Sequence, residues 1–503
     1  MLPDIQKLEF LLAEVQMLQK NAIETELKNR SLLEKVHPQY LHSAKNLLHY
    51  LSIRSHDLTA LQFELSSLAI SSLTHSEAYT LNNLYKIENL IKALLGKSVN
   101  MNVYEENGFS VSLNLKEQHT ESVFGKGDYK GQTRIMVTMP TEAAENIEMI
   151  YNFIERGMHI ARINTAHDDE AVWEKIVHNI KKASKDLQKP VKIYADLAGP
   201  KLRVEKILEN AHYDKKKNNT YIPVSIGTSI LMVQHKHYRN TNSLPVISTS
   251  LPEIFNFIKK GEKIWFDDGK AGGLIKETGN GQVVIEIQHV PKEIFKLSET
   301  KGINLPETVL DIEALTEEDK LNLDFLARHM DLIGFSFVQK PADVLKLKKL
   351  LEEKGRPDMG IVLKIENRQA FNNLPNLLLA GMQHGSLGIM IARGDLAVEI
   401  GWEEMAEVQE EILWLAESAH VPVIWATQVL ENLAKKGIAT RAEISDAVKS
   451  GRAECVMLNK GPYIEEAMTI LQDINKRMKA HEEKKMKLLS RLKVAQTFVQ
   501  ESF

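Results

Sequence analysis

Eight short apolar runs, most of them followed by an amphipathic helical stretch, predict an α/β fold built on a closed parallel (β/α)8 barrel, the TIM barrel. Two further observations complete the prediction. About 100 residues of strand-like texture with "NG" turn signals separate the third and fourth runs, which places a small β-barrel domain after the third strand. The first 98 residues carry helical stripes instead and predict an all-α N-terminal domain. The expected boundaries are a helical domain over 1–98, a linker over 99–132, the barrel over 133–203 and 304–478, the β insert over 204–303, and a helical tail over 479–503.

Taken in order, Ile5, Leu8, Leu12 and Val15 share one helical face, as do Leu58, Leu61, Leu65 and Leu68. Leu84, Ile87, Ile91 and Leu94 make a third stripe, with Gly96 after it as a C-cap. Burying these stripes bundles three or four helices. The histidines of this region (His37, His42, His49, His56, His75) lack metal-ligand spacing. The stretch "FGKGDYKGQ" reads as linker. The barrel strands are "RIMVTMP", "MHIARINTA", "VKIYADLAG", "DLIGFSFVQ", "GIVLKIEN", "LGIMIARGD", "VPVIWATQ" and "ECVMLNKG". The insert holds "SILMV", "KIWFDDG" and "GGLIKETGNGQVVIEIQHV". Its "DKKKNN" run reads as a solvated turn.

The chain has 503 residues, more than one compact core accommodates, so two to four domains are expected. A net charge of −4 gives no electrostatic reason to expect nucleic acid or an anionic membrane as partner. Cys455 is the only cysteine; it cannot form an internal disulfide, fits a reducing compartment, and sits in the core-like run "ECVML". No run approaches the roughly 18 apolar residues of a membrane span. The start "MLPDIQKLEFLLAEV" mixes acids into its apolar residues and lacks a small-residue cleavage site, so it does not read as a signal peptide. A cytoplasmic protein is the expectation.

In such barrels the active site lies at the C-terminal ends of the strands. Thr138 and Pro140 end the first strand, Arg162 and Asn164 the second, and Asp196 the third, with Lys201 and Arg203 following. Lys364 and Glu366 end the fifth, Arg393, Gly394 and Asp395 the sixth, and Thr427 the seventh. Lys364 and Glu366 are two residues apart in a strand and therefore share a face. Alone they could be a structural ion pair or a site with a cation for an anion and a carboxylate for a metal. The company decides for the site. Glu366 and Asp395 offer two hard oxygen donors of the kind that hold Mg²⁺. Arg162, Arg203 and Lys364 supply positive charge for phosphate. Gly394 lets backbone approach a ligand just before a helix N-terminus. Thr427 offers a neutral hydroxyl able to relay a proton. Metal, cationic clamp and proton relay describe phosphoryl transfer involving a small carboxylic acid.

At these residues the sequence resembles the pyruvate kinase family, from about residue 133 to 460. The resemblance rests on nine motifs in order: "ARINTAH", "DLAGPKLR", "FDDG", "KGINLPE", "LTEEDKLNLDF", "FSFVQKPADV", "LKIEN", "MIARGDLAVEI" and "WATQVLENL…TRAEISD". It implies Mg²⁺-dependent (or Mn²⁺-dependent) transfer from phosphoenolpyruvate to ADP, giving pyruvate and ATP. By resemblance, Glu366 and Asp395 hold the metal, Lys364 stabilises the phosphoryl group in flight, and Arg162 grips the phosphate. The backbone from Ala392 through Arg393 and Gly394 to Asp395 takes the carboxylate, and Thr427 takes part in proton delivery. Pro140, Asn164, Arg203 and Lys301 fall on the nucleotide side, with Asp268 on a lid formed by the insert. A homo-oligomer is expected.

Four departures from the family pattern carry consequences. Ala166 and Leu197 replace a Ser and a Thr of the K⁺ site, and "GPK" with Lys201 stands where K⁺-dependent members have "GPE". A fixed ammonium from Lys201, near Asn164 and Asp196, would substitute for K⁺, so K⁺ is not expected to be required. After "MLNKGP" only about 40 residues remain, leaving no room for the family's C-terminal domain with its sugar-phosphate effector site. "MLNKG" stands in place of a Ser-Gly-Glu-Thr loop, and "TMPTEAA" is one residue short of the family's turn near the nucleotide. The competing readings are a Mg²⁺-dependent lyase or aldolase of the same barrel type, and a non-catalytic ligand-sensing homologue.

Overall fold

The computed structural model describes residues 5–99, 108–214, 218–234, 244–479, 482–483 and 486–487. Eight parallel strands close the predicted barrel: β1 (Arg134–Thr138), β2 (Ile160–Asn164), β3 (Lys192–Asp196), β4 (Leu332–Phe335), β5 (Gly360–Ile365), β6 (Leu387–Ala392), β7 (Val423–Ala426) and β8 (Cys455–Leu458). Each strand pairs with its sequence neighbour, and β8 returns to β1. The strands are apolar on both faces because both are covered. Inward residues such as Met136, Tyr194, Val362, Met390, Ile424 and Cys455 form one cluster. Outward ones such as Ile135, Ile193, Ile361 and Trp425 join the larger core under the surrounding helices. The interior is filled to contact: a Cβ on Gly334 would lie 1.8 Å from the Tyr194 hydroxyl. Cys455 is buried, as a core residue should be.

The insert is a β domain with its own core. Seven strands form one sheet, from Val204–Glu209 at one edge to Ile303–Asn304 at the other, and a three-stranded sheet flanks it. The hairpin Ala271–Gly279 to Gln282–His289 turns through Asn280 and Gly281, both in the left-handed region, as the "NG" signal requires. The stem closes where Arg203 bridges Gly302.

The N-terminal helices α1 (Ile5–Lys28), α2 (Leu41–Arg54), α3 (Thr59–Ser67) and α4 (Thr80–Leu94) bury Leu8, Leu12, Val15, Leu61, Leu65, Leu84, Ile87 and Ile91 in a common cluster. Ile5 and Leu94, at the ends of their stripes, stay exposed. Gly96 takes positive φ after α4, as a C-cap does. The segment expected as linker is different. It contains a helix, α5 (Phe109–Phe124), whose end places Val123 and Phe124 in the inward-facing barrel cluster. α5 therefore closes the base of the barrel, opposite the mouth. Of the tail expected to be helical, the described residues include a short antiparallel pairing of Glu482–Glu483 with Met486–Lys487; most of it lies outside the described residues. No helix among the described residues is long and apolar enough to cross a membrane.

Candidate active site

The strand ends bring Arg162, Asp196, Lys364 and Glu366 into one connected charge network. Arg162 Nε donates to Asp196 Oδ2 at 2.6 Å, and its Nη1 donates to Thr138 Oγ1 at 2.9 Å. Lys364 Nζ stands 3.3 Å from Asp196 Oδ1 and 3.0 Å from Glu366 Oε1, and donates to Ser336 Oγ at 2.7 Å. The Tyr194 hydroxyl donates to Asp196 Oδ1 at 2.6 Å. Glu366 Oε2 accepts from the Phe337 amide at 2.7 Å.

Burial and pairing oppose each other at these groups. Burial disfavours the Asp196 carboxylate, but Arg162 and then Lys364 outweigh it and hold its carboxyl below the ordinary range. Burial likewise opposes the Lys364 ammonium, yet Asp196 and Glu366 keep it charged, above its ordinary range. The Glu366 carboxyl goes the other way: burial raises it, Lys364 counters, and the charge of Asp395 raises it further. A cation shared between Glu366 and Asp395 would relieve that repulsion.

Asp395 lies in the first turn of the helix Arg393–Ile400, which starts directly after Ala392 at the end of β6. The first amides of this helix lack intrahelical partners by geometry. Gly394 is required there: a Cβ would lie 2.8 Å from Thr427 Cγ2. The Arg393 side chain turns away from the mouth. It donates to the Ala426 carbonyl at 2.9 Å and to the Thr427 carbonyl, and binds Asp446 through two nitrogens at 2.5 and 2.8 Å.

At the end of β2, Asn164 Oδ1 accepts from the Ala166 amide. Two cavities flank Thr138. Arg162, Asn164, His167, Lys435 and Lys460 line one; Pro140, Glu142, Phe153 and Lys460 line the other. Arg203 donates from Nη1 to the Thr300 carbonyl in the stem. Lys301 pairs with Asp267 at 2.9 Å, not with Asp268; both aspartates have positive φ in the "FDDG" turn. Lys201 is not at Asp196 or Asn164. Its ammonium binds both Asp395 oxygens, at 2.9 and 3.1 Å. Asp196 is already satisfied by Arg162, Lys364 and Tyr194, which leaves Asp395 as the carboxylate within reach.

Sequence reasoning missed Tyr194, Ser336 and Lys460. Tyr194 was findable, since Tyr194 and Asp196 share a face by the same i, i+2 rule as Lys364 and Glu366. A separate cavity at the base of the barrel, among Tyr79, Phe109, Lys116 and Glu454, contains none of the predicted site residues.

A model of the pyruvate kinase barrel domain matches residues 130–467. This chain belongs to the pyruvate kinase family. It is 31% identical over 376 residues to the pyruvate kinase of Staphylococcus saprophyticus, covering 73% of this chain and 60% of the relative. It is 32% identical over 352 residues to that of Thermotoga maritima, covering 68% and 70% respectively. For the Staphylococcus aureus pyruvate kinase the figure is 29% over 381 residues. The chain thus spans about 60% of the length of the staphylococcal pyruvate kinases. The match begins within the segment that follows α5, so the N-terminal helices lie outside it.

Proposed function

We propose that this chain is a pyruvate kinase, transferring the phosphoryl group of phosphoenolpyruvate to ADP. The observation that carries the reading is the convergence of Arg162, Lys364, Glu366 and Asp395 on one barrel mouth. Among the described residues no group of three or more His, Cys, Asp or Glu side chains could hold a metal. The pair Glu366 and Asp395 instead fits a hard divalent cation, Mg²⁺ or Mn²⁺, that completes its shell with substrate and water oxygens. When bound, that cation supplies positive charge for the enolate and carboxylate oxygens.

The chain's own residues do the rest. Arg162, oriented by Asp196 and Thr138, grips the phosphate. Lys364 neutralises charge on the phosphoryl group as its bond to the enol oxygen breaks and the bond to ADP forms. The amides of Gly394 and Asp395 bind the substrate carboxylate. Thr427 delivers the proton that converts enolpyruvate to pyruvate. Pro140, Asn164, Arg203 and Lys301 lie toward the nucleotide, and the insert with Asp268 closes over it to exclude water. Lys201 brings an ammonium to the mouth, at Asp395 rather than at Asp196, and this added charge supports activity without K⁺. A homo-oligomer in the cytoplasm, without nucleic acid or membrane partners, completes the reading.

The test is pyruvate release from phosphoenolpyruvate, ADP and Mg²⁺ in K⁺-free buffer. Rapid ADP-dependent release is expected, and Lys364→Met should lower it by at least about 10²-fold with Mn²⁺ binding retained. A rise of more than tenfold on adding K⁺ would refute K⁺ independence. No release with any nucleoside diphosphate, with or without K⁺, would turn the assignment to the lyase or the non-catalytic reading.

A further inference from the structure

Lys201 sits at the root of the insert, two residues before the bridge between Arg203 and Gly302 that closes its stem. The stem is held by the Val204 amide donating to the Lys301 carbonyl at 2.8 Å and the Ile303 amide donating to the Leu202 carbonyl at 2.9 Å. From this root Lys201 reaches across to the barrel and donates to both oxygens of Asp395. Both side chains are mostly shielded, 26% and 18% exposed. The insert touches the same helix, Arg393–Ile400, at two more places. Asn304 donates to Glu399 at 2.9 Å, and a Cβ on Gly269 would lie 3.3 Å from Val398. Three contacts therefore pin the lid to one short helix, and one of them engages Asp395 itself.

We propose that Lys201 competes with the divalent cation for Asp395, so that loading the metal releases one of the lid's anchors. The inference rests on the reading of Asp395 as a metal ligand. Its physical basis is occupancy. Both Asp395 oxygens accept charge-assisted hydrogen bonds from Lys201, and a hard cation must take at least one of those oxygens. The apparent metal affinity is then the intrinsic affinity scaled by the fraction of time Asp395 is free. A pair formed nine-tenths of the time weakens metal binding about tenfold. Lys201 becomes a positioning residue with two jobs: it neutralises Asp395 before the metal arrives, and it ties the lid stem to the site.

Two measurements on the full-length protein test this. The first is Mn²⁺ binding followed by electron paramagnetic resonance, without substrates. Lys201→Gln should bind Mn²⁺ about tenfold more tightly than wild type, and Lys201→Arg should stay close to wild type. Removing any nearby positive charge also favours a cation, so the second readout is hydrogen exchange at the Val204 and Ile303 amides. In wild type, Mn²⁺ should speed exchange there. In Lys201→Gln, exchange should already be fast and should not respond to Mn²⁺. Stem exchange that ignores Mn²⁺ in wild type, or unaltered Mn²⁺ affinity in Lys201→Gln, overturns the competition. The control is Asp395→Asn. Lost Mn²⁺ binding in that variant, beside unaltered binding in Lys201→Gln, overturns the inference alone. Mn²⁺ binding as in wild type overturns the assignment of Asp395 on which the inference depends.

Discussion

Thr427 has φ of +73°, a conformation that costs a β-branched residue about 1–3 kcal/mol. Gln428 and Leu430 also have positive φ, so the turn after β7 stores strain at several residues. Arg393 is what holds it. Its guanidinium lies 4.7 Å from the centre of the Trp425 ring, is fixed by the two oxygens of Asp446, and captures the carbonyls of Ala426 and Thr427. A planar fork can serve a carboxylate and two carbonyls at once; an ammonium cannot. The residue whose amide was expected to serve the substrate thus also fixes Thr427, the proposed proton relay, through its side chain. Arg393→Lys should therefore slow proton delivery more than phosphoryl transfer. Exchange of pyruvate methyl protons with deuterated water should fall at least about tenfold relative to the phosphoryl-transfer rate. Equal losses in both steps would mean that Arg393 supports the site only in general.

At the scale of the element, the helix Arg393–Ile400 joins the proposed metal ligand and carboxylate site to the β insert. Glu399, one turn after Asp395, is pushed up to about 7 by burial, with the charge of Asp395 adding to it and the Asn304 hydrogen bond opposing. Its ordinary value is 4.5. Between these values the folded protein holds a proton that the unfolded chain has lost, so stability falls as pH rises from about 4.5 to 7 and levels off above. The cost at pH 8 is at most about 3 kcal/mol. Glu399→Gln keeps the hydrogen-bonding shape and cannot ionise. Its stability relative to wild type should grow between pH 5 and pH 8, read by denaturant unfolding at each pH; a constant difference would contradict the raised carboxyl. Elements also differ in how plainly the sequence announced them. The barrel strands and the Asn280–Gly281 hairpin declare themselves by apolar runs and turn chemistry that act locally. α5 does not. Its buried residues Ser112, Lys116, His119, Thr120, Val123 and Phe124 follow a helical period, but four of the six are polar and the two apolar ones come only at the end, so no apolar stripe marks the buried face. The site's strand-end residues were readable because period 2 fixes their face. The pairing of Lys201 with Asp395 was not, because it depends on which carboxylates other cations have already satisfied.

Across the whole molecule, the N-terminal helices and the barrel share buried polar contacts at the base. Tyr40 accepts from the Leu387 amide at 3.0 Å, where β6 begins, and Asn46 donates to the Ser418 carbonyl at 2.8 Å. Lys116 on α5 carries the most consequential contact. Its buried ammonium meets Glu417 and lies 3.1 Å from Glu454, whose other oxygen accepts from the Val423 amide at the start of β7. Burial opposes that charge, but Glu417 and Glu454 outweigh it and hold the ammonium above its ordinary range. Lys116→Met keeps the volume and removes the charge, leaving the carboxylates of the buried Glu454 and the half-buried Glu417 without their shared cation. Stability should fall by about 3–5 kcal/mol at neutral pH. The proposed catalytic mouth lies at the other end of the barrel, so the proposed pyruvate formation by the folded fraction should stay near wild type. Chemical unfolding followed at once by far-ultraviolet dichroism and tryptophan fluorescence reads this: both signals should shift together, because Lys116 ties the helical region to the barrel. A variant in which the helical signal is lost first while the barrel's midpoint stays put would show that the two parts fold independently and that this ion pair does not couple them.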